Sequence, residues 1–212
     1  MLALKIVIGS TREGRAADLV TPWVVARARE QGSFEVDLLD LRDWPLPMFA
    51  ETMQTIGNLA DPAYSDPIVR EWNRRIKQGD AFLFITPEYN HSVPGVLKNA
   101  IDNVFVSLAF RNKPAGFVGY SSGTVAGARA IEHLAHIAIA AEMVPLRNTV
   151  LVPRVQAFFH DGKPTDPSAD ASLRILLDDL AWWGGTLQQA RADGELLPGP
   201  ARLQAAMTAR DG

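Results

Sequence analysis

The 212-residue chain contains no cysteine. Disulfide bonds, thiolate nucleophiles and cysteine-ligated zinc or iron–sulfur centres are therefore excluded. The sequence also lacks any run approaching the roughly 18 apolar residues that a membrane-spanning helix requires. The residues from Met1 to Ile8 are too few for the apolar core of a signal peptide, and their pattern is typical of a strand. These features predict a cytoplasmic protein that does not associate with membranes.

A large excess of charge of one sign is also missing. The formal net charge of −3 gives no general electrostatic attraction to nucleic acid, so we predict no nucleic-acid partner. The length suits one domain with a substantial core, and we place it at residues 1–192, followed by a C-terminal tail at 193–212. Five strand-like segments alternate with helical patterns, which predicts a three-layer α/β fold with a parallel sheet.

The segment from residue 81 to residue 103 carries the most distinctive pattern. Its apolar run, Ala81 to Ile85, has the length and the aromatic and β-branched content of a buried strand. A polar loop follows from Thr86 to Ser92. A helix then begins near Pro94, which suits a first helical turn because it has no N–H to leave unpaired. In open α/β sheets, ligands bind at loops of this kind, beyond the carboxyl ends of the strands.

The loop sequence Thr-Pro-Glu-Tyr-Asn offers a flat aromatic ring, backbone groups held by a proline, and amide and carboxylate side chains. A planar heterocyclic ligand with hydrogen-bonding edges could use all of them. The alternative is an ordinary strand–helix connection in which Tyr89 packs on the protein itself.

A turn rich in glycine, serine and threonine, Gly9 to Arg15, lies between the first predicted strand and a helix predicted over residues 17–29. Free N–H groups, two hydroxyls and the positive end of the helix dipole converge there, so the turn is a natural phosphate site. Arg12 and Arg15 could add charge-assisted bonds to the anion. The turn is neither a Walker A motif nor G-x-G-x-x-G, which leaves a nucleoside triphosphate and the usual dinucleotide fingerprint unsupported. A turn without a ligand remains the alternative.

Three later features complete the pattern. A second small-residue turn, Ser121 to Gly127, enters a helix, and small residues let backbone approach a ligand closely. His133 and His136 lie three residues apart on that helix, but no third ligand is near in sequence, so we predict no metal site. Residues 104–110 are more apolar than one buried stripe needs. They form either core or a face for a second subunit, and we favour the second.

The central loop and the helix after it carry a family resemblance. Pro-Glu-Tyr-Asn (residues 87–90) followed by Pro-Gly-Val-Leu-Lys-Asn-Ala-Ile-Asp (residues 94–102) resembles the signature of the NAD(P)H-dependent FMN reductase family. That family includes flavin, quinone, azo-dye and chromate reductases. The resemblance extends from about residue 4 to residue 190. It implies a flavodoxin-like fold with a five-stranded parallel sheet in the order 2-1-3-4-5, assembled as a homodimer or homotetramer.

The resemblance also implies a bound FMN, with NADPH or NADH as the hydride donor, and a set of residues around it. Four would hold the phosphate: Ser10, Thr11, Arg12 and Arg15. Seven would surround the flavin ring: Pro87, Glu88, Tyr89, Asn90, Ser121, Ser122 and Gly123. No catalytic acid or base is named, because the cofactor carries the chemistry. The sequence departs from many family members at Ala16 and Ala17, where another hydroxyl or amide is often found.

The function implied is transfer of a hydride from NAD(P)H through FMN to a small acceptor: a flavin, a quinone, an azo compound or a metal oxyanion. One alternative is a flavodoxin-like one-electron carrier without a substrate of its own, although such carriers tend to be smaller and far more acidic. Another is a binding or regulatory protein that keeps the fold and has lost the flavin. The alanines at positions 16 and 17 are the support for that alternative.

Overall fold

The computed structural model of the chain describes residues 1–58 and 61–209. Six strands form a parallel sheet within them: β1 (Leu2–Ile8), β2 (Phe34–Asp40), β3 (Ala81–Pro87), β4 (Pro114–Tyr120), β5 (Val144–Pro145) and β6 (Val150–Val152). The order is β2-β1-β3-β4, and β5 and β6 both pair with β4. The predicted flavodoxin-like order 2-1-3-4-5 is therefore confirmed, with its fifth position shared by two short strands. Pro145 suits an outer strand such as β5 because it has no N–H to donate to a neighbouring strand.

Eight helices accompany the sheet in the described part of the chain. They are α1 (Ala17–Gln31), α2 (Met53–Ile56), α3 (Pro67–Lys77), α4 (Gly95–Phe105), α5 (Ala128–Ala140), α6 (Val155–Phe158), α7 (Pro167–Asp193) and α8 (Gly199–Thr208). A single 3₁₀ turn (Leu41–Asp43) follows β2, and a small hairpin pairs β7 (Phe159–His160) with β8 (Lys163–Pro164).

The helices cover both faces of the sheet, as the side chains of β3 show. Leu83 and Ile85 join an apolar cluster with residues of α1 and α7. Phe82 and Phe84, which alternate with them, join a second cluster with residues of α3, α4 and α5. Because both faces are covered, every residue of β3 is buried, which explains its nearly continuous apolar sequence.

The register of the sheet brings the ends of its strands together. Ile8, the last residue of β1, lies beside Ile85, and Pro87 at the end of β3 lies beside Tyr120 at the end of β4. Tyr120 in turn lies beside Val152 at the end of β6. The loops after β1, β3, β4 and β6 therefore meet at the same edge.

The apolar segment at residues 104–110 belongs largely to the core. Val104, Ala109 and Phe110 are buried in the cluster beneath α3, α4 and α5, whereas Phe105 is 42% exposed. The excess of apolar residues is thus explained mainly by packing within one subunit.

The last described part of the chain is helical. Helix α7 ends at Asp193, and α8 lies within the segment that we predicted as a tail at 193–212. Residues 210–212 of that prediction lie outside the described residues. Among the helices that the structure describes, none combines the length and the apolar character needed to traverse a bilayer.

Candidate functional site

A cleft of about 320 Å³ opens at the edge of the sheet where the strands end. Its walls come from the turn after β1, the loop after β3, the end of β4 with the turn that follows, and the start of α6. The lining residues are Ser10, Arg12, Gly14, Arg15, Ala16, Pro87, Glu88, Tyr89, Tyr120, Ser121, Ser122, Val155 and Gln156. Three loops that are far apart in the sequence therefore converge on one space.

Eight of the eleven predicted site residues line this cleft, and Thr11, Asn90 and Gly123 do not. Thr11 lines a neighbouring cavity with Arg42 and Trp44. Asn90 is exposed in a tight turn and has a left-handed backbone, with φ of 49°. Gly123 is exposed, and its carbonyl accepts hydrogen bonds from the Ser121 hydroxyl and from a backbone N–H.

The turn after β1 packs tightly against the rest of the edge. A Cβ at Gly9 would lie 2.8 Å from Leu97 Cδ2 and 3.2 Å from the Ile85 carbonyl oxygen, so only glycine fits beneath α4. Ser10, next along the chain, is fully buried, and its hydroxyl lies 2.8 Å from the Tyr89 hydroxyl. In this conformation Tyr89 packs on the protein itself, as the alternative interpretation of its loop expects.

Arg15 lines the cleft, but its guanidinium is engaged by the protein. Nη1 donates to Asp40 Oδ1 at 2.6 Å and to the Ser10 carbonyl at 2.5 Å, and Nε donates to Asp18 Oδ1 at 2.8 Å. The bond to Asp40 raises the pKa of Arg15. Burial opposes ionisation of Asp40, yet the bonds from Arg15 hold the pKa of this carboxyl below its ordinary value. Arg15 therefore fastens the turn to the end of β2.

Arg12 lines the same cleft but, unlike Arg15, is exposed to solvent. Its guanidinium carbon lies 5.6 Å from the centre of the Tyr89 ring, within the range of a cation–π contact. An exposed arginine at the rim of the cleft keeps donors available for an anion.

Glu88 is held from the opposite wall by a residue that the sequence analysis does not identify. Its side chain is only 6% exposed, and Oε1 accepts a 2.6 Å bond from Arg129 Nε in the first turn of α5. The second oxygen, Oε2, is buried and has no hydrogen-bond partner among the described residues. A carboxylate oxygen in this state needs a donor from a ligand or from water.

Tyr120, at the end of β4, presents the second such group. The residue is 3% exposed, and its hydroxyl has no partner with ordinary hydrogen-bond geometry in the described chain. Burial raises the pKa of the Tyr120 hydroxyl, and the Ser10 side chain is near enough to lower that pKa in part. Two buried polar groups of the cleft thus lack a hydrogen-bond partner in the part of the chain that the structure describes.

The turn after β4 is built by short local bonds. Ser121 Oγ accepts from the Ala126 N–H at 2.9 Å, and Ser122 Oγ accepts from Gln156 Nε2 at 3.1 Å. A Cβ at Gly127 would lie 2.7 Å from the Tyr120 nitrogen, and φ there is 83°, so glycine is required where α5 starts against β4. Gln156 and Val155 follow β6 and belong to no motif, which is why sequence reasoning misses them.

His133 and His136 both lie on α5. Across residues 1–58 and 61–209, no group of three or more histidine, cysteine, aspartate or glutamate side chains is arranged to hold a metal ion. His133 Nδ1 lies 2.9 Å from the Ser92 hydroxyl, so this histidine ties α5 to the loop after β3.

Residues 2–157 match the family model described as NADPH-dependent FMN reductase. The chain belongs to this family. It is 33% identical over 152 residues to the NAD(P)H-dependent FMN reductase PA1204 of Pseudomonas aeruginosa, covering 70% of this chain and 77% of that protein. It is 28% identical over 187 residues to 2-hydroxy-1,4-benzoquinone reductase of a Burkholderia species, covering 86% of this chain and 96% of that protein.

A solved structure extends the similarity to the fold. FerB of Paracoccus denitrificans, a flavoenzyme NAD(P)H:(acceptor) oxidoreductase, superposes with a TM-score of 0.71 at 26% identity, covering 88% of this chain and 98% of that chain. The chain is therefore an NAD(P)H-dependent oxidoreductase that uses FMN. These relatives give no support to the one-electron carrier.

Proposed function

We propose that FMN binds in the cleft, with its phosphate in the turn at residues 9–15 and its ring between the loops at residues 87–90 and 121–123. The observation that carries this placement is the convergence of an anion-binding turn with buried polar groups that lack protein partners. The turn leads into the 15-residue helix α1, whose N-cap residue Ala16 makes no side-chain cap. The positive end of the α1 dipole faces the turn and favours a phosphate there, although the Asp18 and Leu19 N–H groups already donate to the Arg15 and Ala16 carbonyls.

The residues of the cleft divide into those that would touch FMN and those that hold them in place. Ser10 and Arg12 supply a hydroxyl and a charge at the phosphate turn. Arg15 would act indirectly, because its bonds to Asp40 and Ser10 fix the shape of the turn. Arg129 plays the same positioning role for Glu88.

FMN, when bound, supplies the chemistry of accepting a hydride from NAD(P)H and passing electrons to an acceptor. The residues around the proposed ring site would leave one face of the flavin ring open to NAD(P)H and to the acceptor. Tyr89 is the single aromatic residue in the three loops, because the turns at residues 9–15 and 121–127 carry none. The ring of Tyr120 is buried in the core rather than free to cover a ligand. NAD(P)H and the acceptor would therefore use the same open face in turn.

A quinone is the acceptor to test first, because relatives of this chain are named quinone reductases. Alternating use of one face predicts parallel double-reciprocal lines when NADPH and a benzoquinone are varied together. Anaerobic mixing of FMN-loaded protein with NADPH, and separately with NADH, should bleach the flavin absorbance with at least one donor. Intersecting lines would contradict the shared face.

The phosphate placement is tested by charge. Ser10→Asp puts a carboxylate against the phosphate and should abolish FMN binding, with the far-ultraviolet circular dichroism unchanged. Because Ser10 is fully buried, Arg12→Glu provides a second, exposed variant with the same electrostatic sense. Arg70→Glu, on the exposed side of α3, makes the same change of net charge away from the cleft and serves as the control. Wild-type FMN affinity in both cleft variants would refute the placement.

We also propose that the enzyme works in the cytoplasm as a homodimer or homotetramer. The absence of cysteine suits a reducing compartment. Val96 and Phe105 on α4 and Ile139 on α5 are exposed apolar side chains that a second subunit could cover. Light scattering across a dilution series should give at least twice the monomer mass of 23.1 kDa. A monomer at every concentration would contradict the assembly.

A further inference from the structure

The phosphate turn lacks a hydroxyl where its family often has one. Of the two alanines there, Ala17 is buried in the core beneath α1, whereas Ala16 lines the cleft. The missing side-chain donor therefore matters at position 16. A replacement has to come from another part of the chain.

Tyr120 provides a donor from the neighbouring strand end. Its ring packs in the same apolar cluster as Ile8, Val20 and Val152, and it lines the cleft together with Ala16. Tyr120 lines the cleft with Ser10, Arg15 and Tyr89, which places it at the phosphate turn, and the Ser10 side chain is near enough to lower the pKa of the Tyr120 hydroxyl in part. A buried hydroxyl without a partner is destabilising, so a ligand oxygen that accepts its proton relieves a penalty that the ligand-free protein bears.

We propose that the Tyr120 hydroxyl donates a hydrogen bond to the phosphate of FMN and replaces the donor that position 16 lacks. This inference rests on the proposed binding of FMN in the cleft. Because the hydroxyl is buried in the ligand-free conformation, a neighbouring side chain would have to move for a phosphate to reach it. Tyr89 covers the turn through its bond to Ser10 and its contact with Arg12, so displacing Tyr89 would open the turn.

The test compares FMN with riboflavin, which has the same ring and ribityl chain but no phosphate. Tyr120→Phe in the full-length, flavin-free protein should weaken FMN binding by about ten- to a hundredfold, the usual effect of losing a hydrogen bond to a charged group. Riboflavin affinity should change by less than about twofold. Flavin fluorescence titration gives both dissociation constants. The melting temperature without flavin should stay the same or rise, because the lost hydroxyl had no partner.

Two further variants control the comparison. Tyr64 is the matched control, because its hydroxyl is also buried without a partner among the described residues and lies in a separate cluster with Ile56 and Val69. Tyr64→Phe should leave the FMN-to-riboflavin ratio unchanged. Ala16→Ser in the Tyr120→Phe background should restore part of the FMN affinity, because it returns a hydroxyl to the turn.

The outcomes distinguish the role of Tyr120 from the placement of FMN in the cleft. An unchanged FMN-to-riboflavin ratio in Tyr120→Phe overturns this inference, whether both affinities fall together or neither moves. If Ser10→Asp and Arg12→Glu still abolish FMN binding in that case, the placement of FMN survives and only the role of Tyr120 is refuted. If those two variants bind FMN normally, the placement itself is wrong.

Discussion

Buried or half-buried polar groups lie at both edges of the sheet where strands begin or end, but the chain supplies hydrogen-bond partners for them much more completely at one edge than at the other. At the edge where the strands begin, Asp80 accepts from the Ala3 N–H at 3.0 Å and from Gln188 and Arg191 at 2.9 Å each. Lys113, just before β4, donates to three carbonyls at 2.8 to 3.2 Å. At the opposite edge, Glu88 Oε2 and the Tyr120 hydroxyl have no such partners among residues 1–58 and 61–209.

This difference indicates what each edge does. A buried polar group with several protein partners stabilises a single arrangement of the chain. A buried polar group without a partner destabilises the free protein and contributes to affinity once a ligand pairs with it. Substitutions at the first edge should therefore change stability, and substitutions at the second should change flavin binding.

Lys113→Met, at the edge where the strands begin, should cause the largest loss of stability. The substitution keeps much of the aliphatic volume but removes the donor that the Ile76, Lys77 and Ala109 carbonyls share, although the Ile76 carbonyl still accepts from the Gly79 N–H. We expect the free energy of unfolding at pH 10 to fall by about 3 kcal/mol in urea titrations. At lower pH the loss should be smaller, because the variant avoids the cost of deprotonating Lys113 on folding. Lys98→Met, which removes an exposed pair with Asp102, should change it by less than about 0.5 kcal/mol. FMN affinity should stay within twofold in both variants. A large loss of affinity in Lys113→Met would contradict the assignment of stability to one edge and flavin binding to the other.

Arg15 is expected to affect both stability and flavin binding. It lies at the flavin edge, yet its guanidinium is already hydrogen-bonded to groups of the protein. Arg15→Met leaves Asp40 partly buried without its main partner and frees the turn. We expect the free energy of unfolding to fall by about 2 kcal/mol and FMN affinity to fall as well. Arg12→Met, its exposed counterpart, should lower only the FMN affinity. A variant of Arg15 that binds less FMN at full stability would mean that Arg15 contacts the ligand directly.

Arg15 also shows how far the sequence goes in predicting this site. The turn was predictable because its residues are contiguous and follow a strand. Asp40, the partner of Arg15, lies 25 residues away and reaches it because β1 and β2 are parallel neighbours, with Ile8 beside Asp40. No local pattern encodes that pairing, so the sequence predicts Arg15 as a phosphate ligand without showing that its guanidinium is bound to Asp40.

The same reasoning explains the other differences. The α/β class with a parallel sheet follows from periodicity, whereas the strand order follows from the family resemblance that the contiguous signature carries. Tyr120 and Arg129 act through contacts made across the sheet edge, and their neighbours in sequence give no sign of them. The apolar residues at 104–110 were assigned to an interface because composition does not distinguish core from contact surface.

Arg129→Met should give a smaller loss of stability at the flavin edge. It leaves the Glu88 carboxylate, 6% exposed, without its cation. Because Arg129 itself is 40% exposed, water compensates in part, and we expect about 1.5 kcal/mol in urea titrations. Glu88→Gln in the Arg129→Met background should recover about half of that loss, because no charge is then buried alone. No recovery would show that packing of the arginine, rather than the charge of Glu88, is responsible.

The smallest expected effect is the pH dependence of the first edge. Burial lowers the pKa of Lys113 from its ordinary value of 10.5 to about 7, with Arg191 and Lys5 acting in the same direction and Asp80 and Glu195 opposing them. Between pH 7 and about pH 10 the unfolded chain therefore binds more protons at this lysine than the folded chain does. The free energy of unfolding should rise with pH in this window, by about 1 kcal/mol from pH 7 to pH 8. Urea titrations at the two pH values measure the rise, and Lys113→Met should lack it. A rise of equal size in the variant would assign the dependence to another group and leave Lys113 titrating near its ordinary pKa.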